Sequence, residues 1–596
     1  MKSLRRVAIA TLLAAGTVGA VQAQTASGTR HTTKAKHKTR KPAAHTVSAA
    51  MLQQQMHEMH DQLQTEIDLL KQQVAQRDAQ LAVAQQTAQS AQQQAAVATT
   101  QTDAVNNSVQ QNAAAVSTLQ TTVQQNQTAT AAVATQVQQV AQDTQVIRKA
   151  VEEPAAIHYK GITLTPGGFF AGESVWRQRA MNADMFTNFN TTPYENAGEA
   201  HVTEWMPSAR GTRLSMLAAG NVPFGTISGY FEGDFLGAGS SSNNLQTNSY
   251  VLRTRQAWAQ VKSGPTTFTG GQMFSLLTED KKAAQPGQEA LPLIFDYNYT
   301  VGFTYVRQLG FRLQEALSPQ VTVAVAVENS QYQFSASNAP TNFFFGAVGV
   351  SSGTTNPDAN YTNQVAPDVL AKVSFDPKFG HFELGGVARF FRDRTYPVTG
   401  SSLDATNNTK LGGGFVANAR FKATSKATVG FHLTAGDGTG RYGVSILPDV
   451  TVHPNGTLEP IRNAQGLFSL EIHPTPKWDI FGYAGTEYAQ RTTYRNATGV
   501  LVGYAPITGS NAGCNTEAVP TGATGYLPGT AGCLGATRDI AEGSAGWAYR
   551  FYSGPKGKLQ IGFAYGYLTR SGWSGVGGAP KAINNLGYTS FRYYIP

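Results

Sequence analysis

The first 150 residues of this 596-residue chain contain no aromatic residue, and 57 of its 60 glycines lie after Val151. The two parts are therefore different kinds of polypeptide. Charged residues make up only 14% of the chain, which is low for a soluble enzyme. The formal net charge of +9 divides into +6 for residues 1–150 and +3 for the rest, so basicity is an N-terminal property and does not indicate nucleic-acid binding.

Beyond its N-terminus the chain lacks any run of about 18 uncharged apolar residues, so no transmembrane helix is predicted. One short apolar run, 7–18, follows Lys2, Arg5 and Arg6 and precedes Ala23, where small residues occupy the positions that a signal peptidase reads. Residues 1–23 are thus predicted to be a signal peptide. A membrane role of the exported protein would require a β-barrel.

The chain has only two cysteines, Cys514 and Cys533. In an oxidising, exported compartment they are expected to form a disulfide. The alternative is metal binding, but two thiols without a nearby His make a poor zinc site. We therefore expect no metal site.

Local signatures of common enzymes are scarce. The sequence contains no H-E-x-x-H and no C-x-x-C, and Gly438-x-Gly440-x-x-Gly443 fits a dinucleotide fingerprint without the amphipathic helix that should follow it. We expect neither an enzyme nor a cofactor. A barrel lipase or protease, whose site would be scattered over several strands, stays open as an alternative.

The aromatic-free segment carries a heptad repeat. Apolar residues recur at alternating spacings of four and three from Leu63 to Val151, with Arg77 as the interrupting residue. A heptad kept this long predicts a left-handed coiled coil over residues 51–152, which Pro154 ends. At 1.5 Å per residue the rod would be about 130–150 Å long.

Two asparagines interrupt the apolar core of this rod. Asn112 and Asn126 each follow a valine by three residues, so they occupy d positions if the valines occupy a. A buried polar residue costs stability but fixes register and oligomer state. These Val-x-x-Asn layers resemble the stalks of trimeric autotransporter adhesins, which implies a parallel trimer; a dimer that tolerates polar residues is the alternative.

Residues 24–50, between the signal peptide and the rod, form a basic segment. From Arg30 to His45 it holds six Lys or Arg residues and three His residues but no acidic residue. The segment is either a solvated, disordered tail or a docking element for an anionic envelope component.

From Gly167 onward, apolar and polar residues alternate over eight to twelve residues at a time, as in strands with two different faces. About sixteen such runs occur. Every second connection is a short turn rich in Gly, Pro or Ser, and the others run from about 12 to about 50 residues, which is typical of outer-membrane barrels. We therefore predict an all-β transmembrane antiparallel barrel of about 16 strands over residues 160–596, preceded by the α-helical coiled coil.

A soluble β-sandwich or propeller is the alternative, in which the apolar face would pack inward. The signal peptide, the long polar loops and the lack of a blade-length repeat favour the membrane barrel. At sixteen strands, wall side chains alone do not fill the interior, so a water-filled channel is expected.

If the apolar face meets lipid, the alternation turns a set of charged residues toward the lumen. On one strand, Arg253 and Arg255 are expected to share a face with Val251 and Ala257. Arginine exceeds acid in this set, and a ring of fixed guanidinium groups favours anions. The predicted pore-lining residues are Arg213, Glu232, Asp234, Arg253, Arg255, Arg312, Arg420, Lys422 and Arg550.

The third long loop, 280–298, is the candidate for a constriction that folds into the pore, with a plain surface loop as the alternative. Its charges have both signs, so the sequence does not decide the sign of the constriction. The charged loop residues are Asp280, Lys281, Lys282, Glu289 and Asp296.

The stretch 250–261, YVLRTRQAWAQV, contains Leu252-Arg253-x-Arg255-x-Ala257. Together with an exported coiled coil leading into a barrel of this size, it resembles the DcaP-like trimeric porins and, more loosely, the phosphate-selective porin group. The resemblance implies a homotrimeric outer-membrane channel with a periplasmic coiled coil and a preference for small anionic solutes. The chain departs from this pattern at its end, because such barrels usually close on an aromatic residue and this sequence reads Tyr593-Tyr594-Ile595-Pro596.

The sequence therefore predicts a trimeric porin in the outer membrane of a Gram-negative-type cell. Its expected partners are its own copies, outer-membrane lipid, small hydrophilic or anionic solutes and, through the basic tail, an anionic envelope component. The alternative function is an envelope tether or adhesin that the barrel anchors and in which the coiled coil is the binding element.

Overall fold

The computed structural model describes Val83, Gln120 and residues 122–140, 156–237, 250–348, 360–517 and 532–596. The chain divides into two compact units, Met1–Val137 and Gln138–Pro596. The predicted signal peptide, the basic tail, Asn112 and most of the heptad segment lie outside the described residues.

Residues 122–140 form a helix. The hydroxyls of Thr128 and Thr130 donate to the carbonyls four residues earlier, at 2.8 and 2.6 Å. Three valines at predicted heptad positions, Val123, Val133 and Val137, are exposed. One chain does not show what covers this stripe, so the coiled coil and its trimer stay predictions. No described helix is long and apolar enough to cross a membrane.

Sixteen strands form one barrel sheet in the second unit. In chain order they are β1 (Ile162–Arg177), β2 (Arg213–Val222), β3 (Gly225–Gly237), β4 (Val251–Ser263), β5 (Thr266–Phe274), β6 (Arg307–Ala316), β7 (Val321–Glu328), β8 (Asp368–Phe375), β9 (Gly380–Thr395), β10 (Thr406–Thr424), β11 (Ala427–Asp437), β12 (Arg462–Ile472), β13 (Trp478–Ala489), β14 (Thr537–Gly554), β15 (Gly557–Gly572) and β16 (Lys581–Tyr594).

Each strand pairs antiparallel with the next, and the sheet closes on itself. Strand β1 pairs with β2 through residues 162–169 and with β16 through residues 169–177, where Phe169 lies opposite Tyr594. The predicted antiparallel barrel of about 16 strands is therefore confirmed. Closure removes the unpaired sheet edges that a membrane does not tolerate.

The connections alternate between short turns of two to five residues and longer loops of eight to 47 residues. Two of the loops, 396–405 and 573–580, are shorter than the sequence predicted. The reason is that the flanking strands are long: β9 has 16 residues and β10 has 19, whereas about 9–11 residues span a bilayer. These strands replace part of the expected loops.

Several loops carry short strands of their own. Glu204–Ser208 pairs with β1, and Phe343–Phe344 pairs with β9. Ile157–Tyr159, which precedes β1, pairs antiparallel with the start of that strand. Three small hairpins complete the described loops: Gly346–Val348 with Asn360–Thr362, Val450–Val452 with Leu458–Pro460, and Thr492–Arg495 with Leu501–Tyr504.

The two faces of the sheet have opposite burial. Along β11, Phe431 and Leu433 are 51% and 44% exposed, whereas His432 and Thr434 are 4% and 1% exposed. A soluble sandwich would bury the apolar face and expose the polar one. The barrel instead exposes its apolar face on the outside and turns its polar face toward the lumen, which is the arrangement typical of membrane barrels.

Candidate functional site: the barrel lumen

All nine predicted pore-lining residues lie on the inner face of the wall. On β4, Leu252 is 49% exposed on the outside, whereas the neighbouring Arg253 reaches Asp234 across the inner face. The same alternation holds on β10, where Phe421 is exposed between inward-facing Arg420 and Lys422. The backbone register of the strands, rather than any local motif, places these charges in the lumen.

Three arginines and two carboxylates form a cluster on strands β2 to β4. Arg253 donates from Nε and Nη2 to both oxygens of Asp234, at 3.0 and 2.8 Å. Arg255 donates from Nε to Glu232 at 2.6 Å and from Nη1 to Asp234 at 2.9 Å, and Nε of Arg213 lies 3.9 Å from Glu232. The side chain of Arg255 is fully buried, but that of Arg253 stays 27% exposed. Arg253 is therefore the better placed of the two to meet a solute.

A β-bulge corrects one expectation about this strand. The register between β3 and β4 shifts after Glu232, so Arg255 and Gln256 are both buried on the inside. Ala257 lies opposite Phe231, whose side chain is exposed on the outer face. Ala257 therefore does not share a face with Arg253 and Arg255, because the extra residue of a bulge reverses the alternation beyond it.

The other predicted wall cations differ in their partners. Arg420 donates to Glu471 at 2.7 Å, and Arg550 contacts Asp479. Arg312 donates to two backbone carbonyls, that of Ala284 in the loop at 2.9 Å and that of Phe274 at the end of β5 at 2.8 Å. Lys422 is exposed.

The loop of residues 275–306 lies inside the barrel; we call it the constriction loop. Its apolar residues Phe295, Val301 and Phe303 are at most 1% exposed and pack with wall residues such as Tyr588 in one hydrophobic cluster. Asp280, Glu289 and Asp296 are buried, whereas Lys281 and Lys282 are exposed. Only the positive charges of the predicted set are thus left in contact with water.

One anchor of the constriction loop is a pair of wall carboxylates. Glu542 on β14 accepts the backbone N–H of Val301 at 3.0 Å and the Thr300 hydroxyl at 2.9 Å. Glu487 on β13 accepts the N–H of Gly302 at 2.9 Å. Gly302 has φ +89° and passes so close to β12 that a Cβ would lie 2.1 Å from the carbonyl oxygen of Gly466, so only glycine fits there.

A second anchor lies at the end of the barrel that carries the short turns. The ammonium group of Lys372, fully buried on β8, lies 2.7 Å from Asp280 and 2.9 Å from Glu383. The N–H of Ala283 donates at 3.0 Å to Asp376, which opens the turn between β8 and β9. The tip of the constriction loop therefore reaches the short-turn end of the lumen.

Asp296 forms a third anchor, on β16 and the first long loop. It accepts the Tyr588 hydroxyl at 2.8 Å and the backbone N–H groups of Thr187 and Asn298 at 3.2 and 2.7 Å. Burial raises the pKa of Asp296, and these donors oppose that rise. Burial also raises the pKa of Glu279 to about 8, although Arg420 opposes it.

A second loop, 438–461, also enters the lumen. The N–H of Tyr305 donates to the carbonyl of Tyr442 at 3.0 Å, which joins it to the constriction loop. Its wall anchor is Arg389, which is fully buried and lies 3.1 Å from Asp368 and 2.8 Å from Asp449. Two loops therefore narrow the space that the barrel encloses.

Cys514 and Cys533 form a disulfide within the long loop between β13 and β14. The carbonyl of Cys514 accepts the N–H of Asn196, at 3.2 Å, from the first long loop. The disulfide therefore closes one long loop on itself, and the hydrogen bond from Asn196 joins that loop to the first long loop. Across the described ranges, no group of three His, Cys, Asp or Glu residues is placed to hold a metal ion.

Sequence reasoning missed the residues that hold the loops: Lys372, Arg389, Glu487 and Glu542. Alternation did offer a signal, since each occupies an inward position of its strand. Nothing in the sequence pairs such a position with a loop residue 90 or more positions away, as Lys372 is paired with Asp280 at a separation of 92.

No protein-family model and no curated protein matches the sequence. Among solved structures, the chain is similar to the outer membrane channel DcaP of Acinetobacter baumannii, with 15% identity and a TM-score of 0.52 over 74% of this chain and 100% of that one. An anion-selective porin from Comamonas acidovorans has 9% identity and a TM-score of 0.40 over 73% of this chain and 100% of its own. OmpF of Salmonella typhi has 8% identity and a TM-score of 0.40 over 74% of this chain and 100% of its own. The likeness to DcaP establishes a shared barrel fold and confirms, at the level of fold, the resemblance predicted from the sequence.

Proposed function

We propose that this protein is an outer-membrane porin through which small hydrophilic solutes, preferentially anions, diffuse passively. The observation that carries the proposal is a closed barrel with an apolar outer face, a charged inner face and a loop folded into its lumen. An aqueous space lined by fixed charges and crossed by such a loop selects solutes by size and charge.

The proposal extends to assembly and placement. We expect a homotrimer in the outer membrane, with the short turns and the coiled coil of residues 51–152 in the periplasm. The heptad repeat with Asn112 and Asn126 at core positions supports the trimer. The fold shared with the DcaP channel supports the outer-membrane location.

Anion preference is supported by the cationic side of the lumen. Arg253 keeps exposed surface on the β4 wall, and Lys281, Lys282 and Lys422 are exposed as well. The acidic constriction-loop residues Asp280, Glu289 and Asp296 are buried and held by donors. The charges that a solute meets are therefore mostly positive.

Recording from the purified protein in planar bilayers tests the function. We expect stepwise ionic conductance and, in a KCl gradient, a reversal potential of the sign that chloride permeation gives. A reversal potential of the opposite sign would contradict the anion preference. No conductance from folded protein would contradict the porin and favour the tether, in which the coiled coil of residues 51–152 would be the binding element.

A further inference from the structure

The arginines of the inner wall and the lysines near the short turns have different partners. On the inner wall, Arg213, Arg253, Arg255, Arg420 and Arg550 each lie within 3.9 Å of a carboxylate. Opposite charges this close cancel one another at longer range. The charge of these five guanidinium groups is therefore partly neutralised within the wall, and of the pair on β4 only Arg253, which is 27% exposed, presents charge to the lumen.

Five lysines at the short-turn end have no such partner. Lys262, Lys422 and Lys558 are exposed near the ends of strands β4, β10 and β15, and Lys281 and Lys282 are exposed at the tip of the constriction loop. In the part of the chain that the structure describes, none of the five side chains makes a salt bridge. We call these five residues the lysine collar.

The three wall lysines of the collar face the lumen. Lys262 lies opposite Thr267, which is 3% exposed on the inner face. Lys422 follows inward-facing Arg420 by two residues, and Lys558 precedes Gln560, 5% exposed, by two residues. Since side chains alternate between faces, all three share the lumen side.

The loop lysines are held at the same end. The Asp280 carboxylate is bound to Lys372, the N–H of Ala283 donates to Asp376 in the turn between β8 and β9, and the N–H of Lys281 donates to the Gln288 carbonyl at 2.6 Å. These contacts fix the backbone on both sides of Lys281 and Lys282. The backbone of Lys281 and Lys282 is therefore held near the short-turn end of the lumen.

The acidic residues of this end are already engaged. Asp376 lies 2.7 Å from His381, Asp479 lies 2.7 Å from His473 and contacts Arg550, and Glu315 accepts the Thr266 hydroxyl at 2.6 Å. Four further lysines, Lys378, Lys426, Lys477 and Lys556, lie in the short turns themselves. The short-turn end thus carries nine lysines that make no salt bridge among the described residues.

We infer that the lysine collar, rather than the arginine wall, determines the anion selectivity of the channel and makes it depend on side. The inference rests on the proposed function and names the residues that would carry it. Unpaired charges around a narrow aqueous mouth raise the local concentration of anions and lower that of cations. Salt screens this effect, with a screening length of about 3 Å at 1 M and about 30 Å at 0.01 M.

The test is a reversal potential measured in both directions of a KCl gradient between 1 M and 0.01 M. Orientation is read from the chamber in which streptavidin binds a biotin acceptor peptide inserted at Gly499, in a long loop. We expect the ratio of anion to cation permeability to be about threefold higher when the dilute solution bathes the short-turn mouth, because the collar is then least screened. Equal ratios in the two directions would overturn the inference.

Matched variants locate the charge. K281Q/K282Q and K262Q/K422Q/K558Q are each expected to lower the permeability ratio at least about twofold in the sensitive direction and to reduce its dependence on side. K281R/K282R, which keeps the charge, should retain the wild-type ratio and so separates charge from a displaced loop. The control K410Q/K581Q removes two lysines from the long-loop end. It should change neither the permeability ratio nor its dependence on side.

The outcomes separate this inference from the proposed function. Glutamine variants that conduct with the wild-type ratio would overturn the collar while an anion-selective porin stands. A wild-type channel without anion preference in either direction would overturn the proposed selectivity, and the collar with it.

Discussion

Arg253 and Arg255 lie two residues apart on β4 and have different environments. Both are bound to Asp234, but only Arg255 also bridges to Glu232 and, through Nη2, to the Tyr299 hydroxyl at 3.2 Å. Arg255 is fully buried, so its role is to hold the cluster together, whereas Arg253 presents charge to the lumen. Removing one member of a buried ion pair destabilises the fold strongly, because the remaining charge is left buried and unpaired. Removing one member of an exposed ion pair costs little stability.

Single substitutions should separate these two roles. Arg253→Gln is expected to lower the anion-to-cation permeability ratio modestly and leave the barrel stable. Arg255→Gln leaves Glu232 with the more distant Arg213, at 3.9 Å, as its cation and should lower the free energy of unfolding by about 3–5 kcal/mol. Reversal potentials and heat-induced mobility shifts in detergent gels measure the two effects. Equal permeability ratios and equal stabilities of the two variants would contradict the assignment of different roles to Arg253 and Arg255.

Glu279 makes the packing of the constriction loop depend on pH. Burial raises the pKa of this carboxyl to about 8, with Arg420 opposing the shift, and its Oε1 has no hydrogen-bond partner. The protonated form is favoured in the folded state, so the stabilisation is fully present below the ordinary pKa of a glutamate. It is lost as the pH rises through about 8.

We therefore expect channel noise and open-state conductance to increase between about pH 7 and pH 9, as Glu279 ionises and the loop loosens. Single-channel recording at each pH measures the change. Glu279→Gln keeps the shape without the charge and should give a flat profile. A wild-type profile that is flat over the same range would contradict the prediction.

At the scale of elements, the constriction loop is held by contacts to distant strands. Its anchors lie on β8, β13, β14 and β16, and together they fix both its depth and its tip. The sequence identified this loop as a candidate because of its length and position. The position of the loop in the lumen could not be predicted from the sequence, because every anchor joins residues that only barrel closure brings together.

The strands were more predictable than the loop. Alternation located all sixteen barrel strands, because a lipid-facing side chain and a lumen-facing side chain need opposite polarity at every second position. It failed at the bulge on β4, where one extra residue moved Ala257 to the outer face. Bulges leave no periodic signature, so the register beyond them is decided by pairing in the sheet.

The rod is the element whose assembly remains a prediction, and it is testable by itself. A peptide of residues 53–151 is expected to be helical and trimeric, because Asn112 and Asn126 occupy d positions beneath valines at a. Sedimentation equilibrium measures the mass, and replacing both asparagines with Val should raise the melting temperature while loosening the oligomer state. A dimer mass for the native sequence would contradict the trimer.

At the scale of the whole molecule, the barrel has two chemically different ends. One carries short turns and the lysine collar, and the other carries the long loops, one of which contains the Cys514–Cys533 disulfide. Strand β1 begins and strand β16 ends at the short-turn end. An even number of strands requires this return, and it places the coiled-coil segment on the same side in the proposed topology.

Labelling of intact cells checks that topology. An epitope at Ala43 should be hidden, and an epitope inserted between Cys514 and Cys533 should be labelled, since short turns face the periplasm in barrels of this kind. Permeabilised cells, in which both epitopes should react, provide the control. Surface labelling at Ala43 would reverse the model and favour the adhesin.

The sequence by itself determined the number of strands and the side of the wall on which charges lie, because these follow from a period of 2 residues. Export and a coiled coil with a period of 3.5 residues stay predictions from composition and spacing. Tertiary structure alone decided which charges are neutralised and which remain free. Arg255 and Lys372 are buried in ion pairs, whereas Lys281 and Lys282 are exposed to water. Pairing between strands and loops that are distant in the chain sets these environments, and electrostatic interaction depends on distance in space and on burial, neither of which a linear pattern contains.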